Sequence, residues 1–281
     1  ADDLAAIQFS SGSTGAPKPV ALTHANIIGN ARSIISQLPG NLEDHSGFSW
    51  LPLYHDMGLV GCLVVAVLAP GSLTLLAPER FVAKPQLWLE GLARSGATIS
   101  VAPNFAYALA VERTPKEVVD RLDLSRWSVA LCGAEPVQKR TLDAFAEHFA
   151  GAGFNPVALT PVYGLSEVTL AVAFGAIDRP ATGASFCRNA LGEGRAVERR
   201  DGLYIPSVGK ALPGHEVRIQ CTGRDSAEAV VGNVLVRGVG VMAGYFDRPD
   251  ATADVLREGW LDTGDLGFFW GGELYLCGRS K

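Results

Sequence analysis

"SVALCGAEPVQKRTLDAFAEHFAGAGFNPVALTPVYG", Ser128 to Gly164, carries the pattern that decides the fold. The apolar run SVALCGAE reads as a strand. It passes into an amphipathic helical run, VQKRTLDAFAEHFAGAG, and then into a second apolar run, PVALTPVYG. Strand, helix and strand joined by short turns form the unit of a parallel sheet, because parallel neighbours need a crossover between them. The pattern repeats upstream. ATISVAP is a strand and NFAYALAVER a helix; KPQLWLEGLARSG is a helix ending near Gly96; GFSWLPL and SLTLLA are strands on either side of a helix over His55 to Leu68. Thr23 is the expected N-cap of a helix through HANIIGNARSIISQL, and LAAIQF is a strand near the N-terminus. The expected fold class is α/β, a layered, mostly parallel sheet with flanking helices.

After about Gly175 the texture changes. GLYIPSVG, HEVRIQC, GNVLVRG and GELYLCG are short strands separated by Gly, Pro and Asp, which predicts a smaller, mostly antiparallel β subdomain. The expected division is residues 1–175 for the α/β part and 176–281 for the β-rich part.

Bulk properties narrow the function. With 48% hydrophobic and 19% charged residues the chain can bury a core, and a net charge of -5 gives no basic field for nucleic acid. The basic cluster GRAVERR also contains Glu198 and reads as a solvated loop. Five cysteines, widely spaced and without a C-x-x-C pair, argue against a disulfide framework or zinc and fit reduced thiols in a cytoplasmic protein. Met57 to Pro78 is uncharged, but Pro70-Gly71 interrupts it, so a buried helix, turn and strand are expected instead of a membrane span.

Five loops carry candidate chemistry. The first is FSSGSTGAPKPVALTH, Phe9 to His24. It is no Walker A loop, since Lys18 lies between two prolines. Its physics is related: consecutive amides freed by Gly12 and Gly15, the hydroxyls of Ser10, Ser11, Ser13 and Thr14, and the Lys18 charge suit a di- or triphosphate. A flexible linker is the competing reading; an apolar strand before the loop and a helix after it argue against one. The second, YGLSEV, approaches a nucleophile elbow at Ser166. Val168 stands where that motif needs Gly, and the only downstream His, His215, sits in a strand-like run. The others are LYHDMG with His55 beside Asp56, CGAEPV, and GWLDTGDLG with Asp262 and Asp265. Taken singly, turn chemistry explains each of these about as well as function does.

Together and in this order, SSGSTGAPK, VYGLSE, VLVRGVGVMAGYF, GWLDTGDLG and LYLCGRSK resemble the motifs of the adenylate-forming enzymes. SWLPLYHDMGLVG, CGAEPV and RNALGEGRAV resemble the fatty acyl-AMP ligases among them. The resemblance implies ATP-dependent activation of a fatty acid to an acyl-adenylate, with Mg²⁺, followed by transfer to an acyl carrier protein thiol. A fatty acyl-CoA ligase and a non-catalytic nucleotide-binding module are the alternatives. It also implies the roles. Ser11, Gly12, Ser13, Thr14, Gly15 and Lys18 would hold the β- and γ-phosphates, and Glu167 the metal. Ser166 would bond near the α-phosphate. Tyr163, with Gly164 after it, would stack on adenine, and Gly133, Ala134 and Glu135 would form the opposite wall. Asp265 and Arg279 would bind the ribose, and His55 would line the path between acyl chain and phosphate.

The sequence departs from the family pattern in two residues, Ser10 for the usual Thr and Pro19 for Gly, neither of which removes a phosphate ligand. Family members also carry a substantial region before the phosphate loop and a C-terminal lid domain with a catalytic lysine. This implies that the 281 residues are a piece of the large domain. The expected consequence is weak adenylation by the isolated chain, with weak nucleotide binding retained. Robust ATP–pyrophosphate exchange by these 281 residues alone contradicts that expectation.

Overall fold

The computed structural model describes residues 2–10, 17–221, 224–225 and 228–280. The chain divides into two compact units. One comprises residues 34–162 and 176–181, the other residues 1–33, 163–175 and 182–281. The expected boundary after residue 175 differs from this division.

In the first unit the strands Ser46–Ser49, Ser72–Leu75, Ile99–Pro103, Val129–Gly133 and the start of Leu159–Gly164 are all parallel. Val129–Gly133 is buried along its whole length, which is why it reads as a continuous apolar run without alternation. Helices Gln86–Ser95, Asn104–Arg113 and Lys139–His148 supply the crossovers. Gly96, at φ 62, closes the first of these in the left-handed conformation that its missing Cβ makes inexpensive.

Trp88 is the hub of this core. It is fully buried, with ring centroids of Tyr107 and Trp127 both 5.3 Å away and those of Phe81 and Trp50 at 6.0 and 6.4 Å. The polar handles of these rings are pinned to strands. Trp88 Nε1 donates to Ser100 Oγ (2.9 Å), Tyr107 Oη to the Leu131 carbonyl (2.9 Å), and Trp127 Nε1 to the Val129 carbonyl (3.0 Å). Burial thus costs no unmade hydrogen bond at these three residues.

The segment expected as one helix from His55 to Leu68 is composite. A short turn, Asp56–Gly58, leads into a π-helical stretch, Leu59–Val64, and then into Val65–Leu68. The wider turn is visible in Val65 N–H reaching back to the Val60 carbonyl. The strand read in GFSWLPL ends at Ser49, and Trp50 begins the turn.

The second unit is β-rich. His215–Cys221, Gly232–Gly238 and Trp260–Trp270 form an antiparallel sheet, with Arg224–Asp225 at one edge. Leu256–Arg257 and Glu273–Arg279 both pair with the eleven-residue Trp260–Trp270 strand. Bulges at Asn233/Leu235 and Leu266/Gly267 bend these ladders.

The N-terminal segment belongs here, a correction to the sequence reading. The phosphate-loop candidate does not pass directly into a helix. Pro19–Thr23 is a strand, antiparallel to Leu4–Phe9, and its other neighbour is Gly244–Tyr245. Only then does the His24–Ile35 helix begin. Thr23 caps it as expected: Thr23 Oγ1 accepts from Asn26 N–H (3.1 Å), and Asn26 Oδ1 accepts from Thr23 N–H (3.0 Å). Two asparagines then tie the helix to distant chain. Asn26 Nδ2 donates to the Val239 and Val241 carbonyls, and Asn30, fully buried, exchanges two hydrogen bonds with the Ala171 backbone. These bonds fasten the helix to the turn after Gly232–Gly238 and to the strand Ala171–Phe174.

The Trp88 hub yields a stability prediction. Trp88→Ala is expected to cost about 3–5 kcal/mol, as large-to-small core changes at aromatic positions do. Val67→Ala, at a residue 75% exposed, is expected to stay within about 0.5 kcal/mol of the parent. Denaturant midpoints measured side by side check both.

Candidate active site

In the β-rich unit, Tyr163 ends a strand and Gly164 follows it into a very tight reversal. A Cβ at residue 164 would lie 1.8 Å from the Leu170 carbonyl oxygen, so only glycine fits. Leu165 N–H closes the reversal on that same oxygen (2.8 Å). Ser166–Val168 form a short 3₁₀ turn, and Thr169 takes φ 66, ψ -55, the strained γ-turn conformation, with Leu170 N–H on the Val168 carbonyl (2.6 Å). A β-branched residue there costs on the order of 1–3 kcal/mol. The surroundings hold it: Thr169 is fully buried and its hydroxyl donates to the Gly240 carbonyl (2.7 Å).

The reversal brings together three of the expected residues. Tyr163 Oη donates to Asp265 Oδ2 (2.6 Å), and Arg279 Nε donates to Asp265 Oδ1 (2.9 Å). Asp265 and Arg279 face each other across adjacent strands. The Asp265 side chain is 12% exposed and that of Arg279 51%. Burial, then the Asp265 charge, push the Tyr163 phenol well above its ordinary range, so it stays a donor. Its ring is 7% exposed and packs in a core with Val20, Leu22 and Val172.

Lys18 and Glu167 meet at a residue the sequence reading did not single out. Tyr245 Oη donates to Glu167 Oε1 (2.9 Å), and Lys18 Nζ lies 4.7 Å from the centroid of the same ring. Lys18 and Ser10 pinch the base of the loop: Ser10 N–H donates to the Lys18 carbonyl (3.0 Å) and Lys18 N–H to Ser10 Oγ (3.2 Å). Ser11, Gly12, Ser13, Thr14 and Gly15 lie outside the described residues. Among the described residues no group of three or more His, Cys, Asp or Glu side chains is arranged to hold a metal. A solitary carboxylate such as Glu167 fits magnesium in one setting, where phosphate oxygens and water fill most of its coordination.

In the parallel-sheet unit, Gly133, Ala134 and Glu135 follow the Val129–Gly133 strand at its C-terminal end, where ligands collect in such sheets. A Cβ at residue 133 would meet Val162 Cγ2 at 2.7 Å, and Ala134 sits at φ 64. Glu135 Oε1 accepts from the Phe105 backbone N–H, in the first turn of the Asn104–Arg113 helix. His55 begins the composite segment with Nδ1 2.7 Å from Asp56 Oδ1. Met57 N–H also donates to that oxygen (2.7 Å). The same Met57 N–H also donates to His55 Nδ1 (3.2 Å), so the Asp56 carboxylate and the Met57 amide both meet that ring nitrogen.

The same unit contains an apolar cavity of about 80 Å³ whose walls include Phe48, Cys62, Val65, Leu73, Val101 and Leu131. Gly47, Gly61 and Ala66 also line it. Burial pushes the Cys62 thiol up to about 11, so it acts as an apolar wall and not a nucleophile. Among the described residues no helix is long and apolar enough to cross a membrane.

Over residues 1–246 the chain matches the AMP-binding enzyme family. A putative acyl-CoA synthetase of Caulobacter vibrioides is 35% identical over 296 residues, covering 100% of this chain and 50% of that protein. The medium-chain-fatty-acid–[acyl-carrier-protein] ligase TtuA of Teredinibacter turnerae is 34% identical over 300 residues, covering 100% of this chain and 47% of its own. A fatty acyl-adenylate ligase from L. pneumophila, solved in complex with acyl adenylate and pyrophosphate, superposes with a TM-score of 0.95 at 34% identity. That alignment covers 100% of this chain and 51% of the ligase. The chain spans about half the length of the curated relatives it matches.

His55 supplies a pH prediction. The hydrogen bond to Asp56 raises its pKa above 6.5, burial opposes the shift, and the Asp56 charge adds to it. The stabilisation is therefore fully present below pH 6.5 and is lost as pH rises through the raised value. An NMR titration of the imidazole is expected to give a midpoint above 6.5 that Asp56→Asn lowers. An unchanged midpoint in that variant removes the pairing as its cause.

Proposed function

Because the chain belongs to the AMP-binding enzyme family, we propose that it contributes to ATP-dependent adenylation of a fatty acid and that the acyl group then passes to the thiol of an acyl carrier protein. The observation that carries this reading is the convergence of Lys18 and Glu167 on Tyr245, with Asp265 and Arg279 paired in the same unit. A phosphate-binding cation and a metal-binding carboxylate are held around one ring, and a carboxylate suited to ribose hydroxyls is held in place nearby in the chain's β-rich unit.

The reaction asks for this kind of equipment. The fatty carboxylate attacks the α-phosphorus, the bond to the bridging oxygen breaks, and pyrophosphate leaves with the electron pair. Negative charge spreads over phosphoryl oxygens, so the protein contributes by positioning and neutralising. Lys18 meets the charge of the departing β- and γ-phosphates. Ser11, Gly12, Ser13, Thr14 and Gly15 bring amides and hydroxyls to the same phosphates, and Ser166 bonds near the α-phosphate. Magnesium, when bound with the nucleotide, neutralises phosphate charge, and Glu167 is the residue that would hold it. Asp265 accepts from the ribose hydroxyls with Arg279 fixing its orientation. Tyr163 is the residue assigned to stack on adenine; Gly133, Ala134 and Glu135, at the end of a strand in the parallel-sheet unit, are assigned to adenine as well. His55 lines the acyl path.

The apolar cavity under the Leu59–Val64 stretch suits a hydrocarbon chain, which gains about 0.8 kcal/mol per buried methylene. Its lining includes the small residues Gly47, Gly61 and Ala66 beside its apolar walls. The carrier-protein acceptor is favoured by the TtuA relative's name, and coenzyme A as acceptor by that of the Caulobacter relative.

The test uses the whole polypeptide that carries this sequence, supplied with mixed-length fatty acids, ATP and Mg²⁺, and mass spectrometry of the products. Acyl-AMP is expected, with acyl transfer to carrier protein when that is added. Acyl-CoA formed from added coenzyme A in preference to acyl-carrier protein replaces the acceptor. No acyl-AMP with any fatty acid overturns the reading.

A further inference from the structure

We propose that Tyr245 is a positioning residue that sets the phosphate-binding cation and the metal-binding carboxylate in fixed relation before nucleotide arrives. The proposal rests on the roles given above to Lys18 and Glu167. Tyr245 reaches both with different parts of one side chain. Its hydroxyl donates to Glu167 Oε1 (2.9 Å), and its ring face receives Lys18 Nζ at 4.7 Å from the centroid.

The backbone leaves the ring little freedom. Gly244 and Tyr245 pair with Ala21 and Val20 on the strand that Lys18 leads into, and Phe246 N–H donates to the Pro19 carbonyl (2.7 Å). Tyr245 N–H is held by Thr252 Oγ1 (2.9 Å), and the residue is 7% exposed. The partner is fixed as well. Glu167 lies in the turn closed by the strained Thr169, and its carbonyl accepts from Met242 N–H (2.9 Å), three residues before Tyr245.

The chemistry of the hydroxyl follows from its surroundings. The hydroxyl carries the one proton between the two groups, so the phenol donates and Glu167 Oε1 accepts. One carboxylate oxygen is thereby fixed by the phenol, which orients the other for the metal. Metal-binding carboxylates are commonly oriented by such an outer hydrogen bond. The ring does the complementary task for Lys18, since a cation is drawn to an aromatic face and its Nζ lies 4.7 Å from the centroid.

The test separates the two contacts in the whole polypeptide, with binding of a non-hydrolysable ATP analogue titrated with and without Mg²⁺. Tyr245→Phe keeps the ring and removes the hydroxyl. It is expected to raise the Mg²⁺ concentration for half-maximal enhancement of binding by about tenfold, leaving affinity in EDTA unchanged. Tyr245→Leu is expected to lose affinity in EDTA as well, because Lys18 loses its platform. Thermal midpoints establish that each variant is folded, and the aromatic NMR signals of Tyr245 in the parent are expected to move on Mg²⁺–nucleotide addition. If Glu167→Gln abolishes the Mg²⁺ effect while Tyr245→Phe leaves it within about twofold, where a lost outer hydrogen bond predicts more, the proposal is overturned and the roles of Lys18 and Glu167 stand. If Glu167→Gln keeps the full Mg²⁺ effect, the role of Glu167 falls and the Tyr245 proposal with it.

Discussion

The carbonyl oxygen of Leu170 occupies the space that any side chain at position 164 would need. Much of the β-rich unit's chemistry depends on that contact. With glycine there, the chain reverses within seven residues, and Leu165 N–H seals the reversal on the same oxygen. Tyr163 before the reversal is left buried against Asp265, and Glu167 inside it is presented to Tyr245. The strain at Thr169 is a consequence of the same geometry. It persists because the buried hydroxyl is satisfied at Gly240 and because Ala171, two residues on, is clamped by Asn30. Backbone strain at this turn is offset by hydrogen bonds to two separate stretches of sequence, around Asn30 and Gly240, the kind of over-determination that lets an unfavourable conformation last.

Legibility in the sequence follows which physical signal each element uses. The parallel strands and their helices were readable because burial on both faces writes a continuous apolar run, and amphipathic helices write a different period beside it. The α/β class and the β-rich tail were legible for that reason. The Pro19–Thr23 strand was not. Pro19 opens it, where a strand tolerates proline, and PVALT merges without a break into the helical HANIIGNARSIISQL. The allegiance of residues 1–33 to distant strands was equally hidden, since it runs through Asn26 and Asn30, whose polar side chains read as surface positions in an isolated sequence. The π-helical widening at Leu59–Val64 left no mark on an evenly apolar stretch.

For the candidate site, the sequence exposed residues with conspicuous chemistry in conspicuous loops: Lys18 between prolines, Glu167 after Gly-Leu-Ser, Asp265 in a Gly-rich turn. It did not expose Tyr245. A tyrosine in GVGVMAGYF looks like a strand-end aromatic, and only pairing with Val20 across the sheet brings it to Lys18. Nor does the sequence distinguish an exposed Tyr163 from a buried one. Its ring belongs to the core and its hydroxyl donates to Asp265, so burial and the hold on Asp265 are what the structure adds to the sequence reading.

The two tyrosines share one device. Each buried phenol is held protonated by its surroundings and donates to one oxygen of a neighbouring carboxylate: Tyr163 to Asp265 Oδ2, Tyr245 to Glu167 Oε1. A carboxylate offers about four acceptor sites, so one occupied by a phenol still has capacity for hydroxyls or a metal, now in a fixed direction. A basic side chain in the phenol's place would neutralise the anion and compete with the incoming ligand. At Glu167 the neutral phenol orients the carboxylate without bringing an opposing charge, whereas Asp265 is paired with Arg279 as well. Lys18 shows the converse arrangement: it rests on a neutral ring face, which under the proposed function leaves its charge for phosphate. A carboxylate and a cation held on one neutral ring suit the polyphosphate and metal binding proposed above.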